Sequence, residues 1–384
     1  MKRESMNKLQ SWNIITLFCI LIFGFTIATL VKPDEMYSES ENRTLAQMPG
    51  ISLETVLNGE FESDYETYLT DQFFARDGWI GMKTAVERAM QRSESKDIYF
   101  ADDDYLIEKH TDSFTTNMAE SNIQTLAKFI EQYREAFGEE HMSVMVVPNA
   151  VEVLADKLPA FAATYDEASY LNQIKAALPE GIWYDTQAVL EEHADEVIYY
   201  RTDHHWTTLA AFYVYQAWAE QQGFTVPMQE DYTIETATTE FEGTIQSKLG
   251  IDTQKDTIEI YHPVEDIFYE VWKNDAAEPE YSMYDYTALN TKSKYDIFFG
   301  GNYAKVKIKT RENNGRKILV VKDSYAHCFV PFLIGEYEEI TMLDIRYYNQ
   351  KISELIAQEG YTDLLFLYNV SGFAEDTAIA RLVY

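Results

Sequence analysis

The chain has 384 residues, enough for one sizeable domain or two smaller ones, and its 46% apolar and 14% aromatic content excludes a disordered polymer. Its formal net charge of -33 repels nucleic acid and bare anionic membrane surfaces, so no nucleic-acid partner is expected. The two cysteines, Cys19 and Cys328, fall in an apolar N-terminal run and in the globular part, so they cannot build a disulfide framework.

Residues 14–31, IITLFCILIFGFTIATLV, are an uncharged apolar run long enough to cross most of a bilayer's hydrocarbon core. Lys2, Arg3 and Lys8 precede it, while Asp34, Glu35, Glu39 and Glu41 follow. This asymmetry predicts residues 1–13 in the cytoplasm and everything after the run outside, a single-pass membrane protein with an extracytoplasmic domain. No convincing small-residue cleavage site closes the run, which favours a retained anchor over a removed signal peptide. Residues 32–95 then read as a stalk followed by two leading helices, broken near Gly78.

From residue 96 to 384 a single domain is expected. A short hairpin over 98–107 turns on Asp102, Asp103 and Asp104. Helical spacing then predicts a helix over 117–137, a buried strand over 142–148, a helix over 166–178 capped by Asp166, and a short strand over 181–185. A helix over 209–222 enters through Thr207 or Thr208, both good N-caps. Residues of about 226–310 are rich in Thr, Tyr and acids and suggest strands and loops inserted into the domain. Strands are expected over 317–321, 339–343 and 363–368, with a helix after the first and another over 350–358. Strands alternating with helices predict an α/β fold whose parallel sheet is covered by helices on both faces.

Two polar runs carry the chemistry. In YYRTDHHWTT, Asp203 and His205 lie two apart, so on extended backbone their side chains share one side. A carboxylate there fixes the imidazole tautomer and leaves the other ring nitrogen for a nucleophile. In KILVVKDSYAH, Ser324 follows a strand, at the sheet edge where open α/β sheets bind ligands. The plainer alternative is local: Asp323 and Ser324 cap a helix, and His205 is an ordinary hydrogen-bonded histidine.

The TDHHWT run with a later DSY resembles the DHHW family and its relatives, the alginate O-acetyltransferase proteins of SGNH-hydrolase-like fold. SENRTLAQMP, FFARDGW, VPNAVEVLADKLP, FFGGNY and LDIRYY extend the resemblance from about residue 40 to the end. The resemblance implies an SGNH-hydrolase-like, flavodoxin-like sheet with Ser324 as nucleophile, His205 as general base and Asp203 as its orienter. It implies no role for His204. Asn369, after the strand 363–368, looks like the oxyanion-binding asparagine of such enzymes, and Arg346 either contacts substrate or pairs with Asp344. Lys322 stands where the usual run has glycine. Gly301 and Asn302 suggest a tight turn, and Trp206, Tyr347 and Tyr348 either stack on sugars or fill the core. The implied activity moves an acetyl or similar acyl group to or from a cell-surface or exported polysaccharide. Transfer further implies a multi-spanning membrane acyltransferase as donor; no cofactor is expected.

Three alternatives remain at this point. A carbohydrate esterase would use the same triad with water. A metal-dependent phosphoesterase would ligate manganese through Asp203, His204, His205 and Asp323. A polysaccharide-binding assembly protein would keep the fold without catalysis.

Overall fold

The computed structural model describes residues 2–38, 43–163, 167–274 and 276–383. The predicted cap Asp166 and part of the SENRTLAQMP segment lie outside them. The chain divides into two compact units, one of residues 1–91 with 247–251, the other of 92–246 with 252–384.

The first unit opens with a helix over Lys2–Val31, of which Gln10–Val31 is long and apolar enough to cross a membrane. Short helices follow at Leu53–Leu57 and Glu60–Asp71, then a longer one at Arg76–Ala89. The predicted break near Gly78 is corrected: Gly78 lies inside the last helix, and the break falls at Gln72–Ala75, where Ala75 takes the left-handed conformation (φ 54°). A mid-helix glycine costs only about 1 kcal/mol, too little to end a helix that is otherwise packed. Asp71 anchors the bend, accepting from Arg43 Nη1 and Nη2 at 2.9 and 2.6 Å and from the Ala46 N–H at 2.8 Å.

The second unit is built on a six-stranded mixed sheet. Its strands are β1 (Met142–Val147), β2 (Tyr269–Lys273), β3 (Lys305–Thr310), β4 (Lys317–Lys322), β5 (Glu339–Leu343) and β6 (Asp363–Asn369), in the spatial order β1-β6-β4-β5-β3-β2. β1, β6, β4 and β5 run parallel, while β3 and β2 add antiparallel pairs at one side. The four parallel strands are apolar runs buried on both faces, as helix-covered strands must be. Met145, Val320 and Leu365 look toward the helix Thr208–Gln222; Val144, Leu319 and Leu364 look toward the helices Asn117–Phe137 and Ile352–Glu359.

Three sequence expectations change here. The stretch 226–310 is not a separable insertion: β2 and β3 belong to the main sheet, and only Tyr232–Phe241 and Asp256–Pro263 pair apart from it. The strand expected over 181–185 reduces to one parallel bridge between Trp183 and Val144. After β4 comes no α-helix but two 3-10 turns, Ser324–His327 and Val330–Gly335, the second carrying Pro331 in its first turn. The hairpin around Asp102–Asp104 and the Thr207 cap, which accepts from the Ala210 N–H, lie where the sequence suggests.

Candidate active site

The parallel strands β4, β5 and β6 bring the ends of three chain segments to one sheet edge. Lys322 closes β4, so Asp323 and Ser324 turn off the edge. Asp323 fastens that turn: Oδ1 accepts from the Tyr325 N–H at 2.9 Å and Oδ2 from the Asn369 N–H at 2.8 Å. Gly372 leaves room for it, since a Cβ there would sit 3.0 Å from Asp323 Oδ2. Burial raises the Asp323 carboxyl above its ordinary range, against the pull of Arg346 and the two N–H donors.

Opposite the turn, the loop of residues 201–206 carries the second half of the site. His205 Nδ1 lies 2.6 Å from Asp203 Oδ1 and its Nε2 lies 2.8 Å from Ser324 Oγ. An ionised carboxylate can only accept, so Nδ1 carries the ring proton and Nε2 is left to accept from the Ser324 hydroxyl. Burial pushes the Asp203 carboxyl up, but the neighbouring His204 and His205 imidazoles, with the hydrogen bonds from His205 and Thr244, hold it well below the ordinary carboxylate range. Asp203 is therefore a fixed anion beside the ring. The Tyr295 ring stacks on His205 at 3.9 Å between centroids and blocks one face of the imidazole.

Further residues hold this loop, and three of them, Thr244, Gly243 and Asp256, carry no signal in the sequence alone. Thr244 donates from its N–H (2.8 Å) and its hydroxyl (3.0 Å) to Asp203 Oδ2. With its one proton given to Asp203, the Thr244 oxygen accepts from His204 Nδ1 at 2.9 Å. Gly243 packs so tightly that a Cβ would lie 2.3 Å from Asp203 Cβ and 2.5 Å from the Thr202 oxygen. Asp256, buried, accepts from the Arg201 and Thr202 N–H groups at 2.9 and 2.8 Å and from the Thr202 hydroxyl at 2.6 Å. Trp206 is fully buried and donates from Nε1 to the Tyr325 oxygen at 2.9 Å. It ties the two halves together and is not a sugar platform. The Tyr325 hydroxyl returns the link by donating to the His204 carbonyl.

Asn369 and Arg346 sit at the same edge with their side chains engaged. Asn369 Oδ1 accepts from the Ser371 and Gly372 N–H groups at 3.1 Å each and from the Ser371 hydroxyl at 2.6 Å, capping the helix Val370–Glu375. Its Nδ2 donates to Asn149 Oδ1 at 2.7 Å. Asn149 is held in turn by Glu167, a fully buried carboxyl that accepts from the Asn149 N–H at 2.6 Å and from Nδ2 at 2.9 Å. Burial pushes Glu167 up to about 8 despite those donors. Arg346 grips Asp344 in a fork, Nε to Oδ1 at 2.9 Å and Nη2 to Oδ2 at 2.7 Å, with Asn302 Oδ1 at 3.4 Å from Nη2. Gly300 and Gly301 both take positive φ, making the turn that delivers Asn302.

Beneath the serine turn, Lys322 donates to Asp344 Oδ2 at 3.3 Å and to His327 Nε2 at 2.7 Å. Burial, with the nearby Lys322 cation, holds His327 well below its usual range and leaves Nε2 free to accept. Lys322 is thus bound into a buried network beneath the turn.

Asp203, His204 and His205 bring one donor atom each within 4.8 Å of one another. Both Asp203 oxygens are already taken by two donors apiece, and the His205 nitrogens by Asp203 and Ser324. Asp323 is turned to backbone N–H groups instead. This donor set fits a hydrogen-bonded relay better than a metal centre.

A family model described as "DHHW protein" matches residues 132–343, more than half of the chain. Among solved structures, a DHHW family protein from Eubacterium siraeum is 28% identical over 75% of this chain and 95% of its own, with a TM-score of 0.62. Bacillus cereus PatB1 is 23% identical over 72% of this chain and 97% of its own, with a TM-score of 0.61. The same protein with a sulfonyl adduct is similar at 21% identity over 74% of this chain and 99% of its own, with a TM-score of 0.59. No curated protein matches the chain.

Proposed function

We propose, starting from a chain that belongs to the DHHW family, that it is a serine O-acyltransferase acting on a cell-surface or exported polysaccharide, with acetyl as the transferred group. The observation that carries this reading is the unbroken path Asp203 Oδ1–His205 Nδ1 at 2.6 Å and His205 Nε2–Ser324 Oγ at 2.8 Å. A serine hydroxyl needs such a neighbouring base to become a nucleophile.

In the first step, the Ser324 proton passes to His205 Nε2 as Oγ bonds to the acyl carbonyl carbon. The carbonyl electron pair moves onto its oxygen, which the Ser324 N–H at the start of its turn receives. Collapse expels the donor's alcohol, which takes the proton back from His205. A sugar hydroxyl then gives its proton to His205 as its oxygen bonds to the acyl carbon, and collapse breaks the bond to Ser324 Oγ, which takes that proton back from His205 Nε2 and releases the sugar ester. Asp203 stabilises the imidazolium in both halves. Asn369 holds the edge that carries Ser324, and Arg346, one third exposed, contacts the substrate. With water as acceptor the same steps give an esterase, and the second reading differs only there.

The acetyl group and glycan acceptor rest on the resemblance to alginate O-acetyltransferase proteins, as does a multi-spanning membrane acyltransferase as donor. Export rests on the apolar helix and its flanking charges. Purified full-length protein is expected to turn over an activated acetyl ester and to take an arylsulfonyl fluoride covalently on Ser324. A Ser324→Ala variant that keeps its turnover would end the proposal. A glycan acceptor that raises the rate and appears acetylated separates transfer from hydrolysis.

A further inference from the structure

The helix Arg76–Ala89 wears its apolar stripe on the outside. Trp79, Met82 and Val86, with the C-cap Met90, follow one another at steps of three, four and four, so they form one line along the helix. All four are exposed, at 39, 54, 52 and 68%. The opposite face is the packed one. Thr84 is buried there and donates its hydroxyl to the Leu249 oxygen at 2.9 Å, and a Cβ on Gly81 would meet the Gly250 oxygen at 2.2 Å. A helix on a soluble domain turns its apolar stripe toward the core; this one turns it away.

The stripe is continuous with the apolar N-terminal helix. Trp79 packs edge-on against Phe25 at 5.2 Å, Phe73 lies 6.2 Å from the same ring, and the Phe74 N–H donates to Thr29 Oγ1 at 3.2 Å. Phe25 and Thr29 belong to the last turns of the Gln10–Val31 span, where it leaves the hydrocarbon. The stripe therefore begins at the depth of the bilayer–water boundary, with a tryptophan at the position where tryptophans are enriched. Lys83 borders the stripe, is exposed and pairs with Glu87 at 3.7 Å, and a lysine at a stripe's edge can carry its charge to the headgroups.

We propose that Arg76–Ala89 is an interfacial helix that lies in the headgroup region of the membrane crossed by the N-terminal helix, with Trp79, Met82, Val86 and Met90 inserted toward the acyl chains. The proposal rests on the reading that Gln10–Val31 spans a bilayer, and it adds a second, separate attachment to lipid.

The test uses the full chain with Cys19→Ser, since Cys328 is fully buried. It is reconstituted in phosphatidylcholine vesicles and carries a bimane label on a cysteine placed at Met82, Val86, Arg88 or Ile20. Shallow-brominated lipid should quench the emission at Met82 and Val86, and aqueous iodide should quench Arg88 instead. Deep-brominated lipid should quench Ile20. If Ile20 is quenched by lipid but Met82 and Val86 answer only to iodide, the interfacial helix is overturned and the span stands. If Ile20 also answers to iodide, the spanning reading falls first and the proposal with it.

Discussion

The two halves of the candidate site are held by different means. Ser324 is delivered by backbone: a central parallel strand ends at Lys322, and Asp323 bonds the turn to the neighbouring strand end at Asn369. Asp203 and His205 sit on a loop without strand or helix, and side chains from distant segments hold it, Asp256 from behind and Thr244 from the side. Register fixes the first half, and a lattice of individual hydrogen bonds fixes the second. Substituting a reacting group should therefore act by chemistry in either half, whereas substituting a residue that holds the loop should act by position.

The largest expected effect tests the chemistry directly. Ser324→Ala and His205→Ala should each lower turnover of an activated ester by at least about 10³-fold. The thermal midpoint should stay within a few degrees of the parent, since neither side chain carries the turn. Asp203→Asn comes next, with a loss on the order of 10³-fold, because an amide can present an N–H to His205 and reverse its tautomer. Unchanged kinetics in this variant would remove Asp203 from the relay.

Gly243→Ala should break the loop half alone. Its Cβ would meet both Asp203 and the Thr202 carbonyl, so a loss of about 10²-fold and about 2–3 kcal/mol in stability is expected, read by kinetics and urea unfolding. A kinetically silent Gly243→Ala would show that the loop yields and is not held by its close packing. Thr244→Val removes only the hydroxyl, and about a tenfold loss should appear in kcat with KM nearly unchanged.

The effect furthest from the chemistry is on stability versus pH. Burial holds Glu167 up to about 8 in the folded protein, above the ordinary glutamate value of 4.5. Between those values the folded state keeps a proton that the unfolded state has lost. This contribution is therefore complete below about pH 4.5 and declines as pH rises to about 8, by about 1 kcal/mol per pH unit. Glu167→Gln should flatten that slope in denaturant titrations, whatever its offset; an unchanged slope would show that Glu167 does not titrate in this window.

The division between the halves also explains what could be read from the sequence. A buried strand announces itself as an apolar run, so β5 and the helix Asn117–Phe137 fall at the expected residues, and a serine after a strand falls at the edge. The two-residue spacing of Asp203 and His205 likewise needs only local geometry. Thr244 and Gly243 lie some forty residues from the loop they support, in a segment without periodicity, and only the folded chain brings them together. Asn369 was legible as a strand-end residue, but its engagement with Asn149 depends on a strand pairing invisible in one sequence. The 3-10 turns after Ser324 deceived for another reason: the run AHCFVPFLIG is apolar enough for a helix, yet it is buried on all sides in short turns.

The strand order sets when the proposed relay is complete. β1, the first strand of the sheet in sequence, pairs with β6, the last, and β6 stands between it and the strand that delivers Ser324. His205 and Ser324 are themselves 119 residues apart. As the chain is made from its N-terminus, the imidazole and the serine both appear before the final strand arrives to fix the Asp323 turn through Asn369. The nucleophile would be armed only at closure, so esters met by the unfinished chain stay intact, and ester turnover should follow, never precede, the last strand's insertion during refolding.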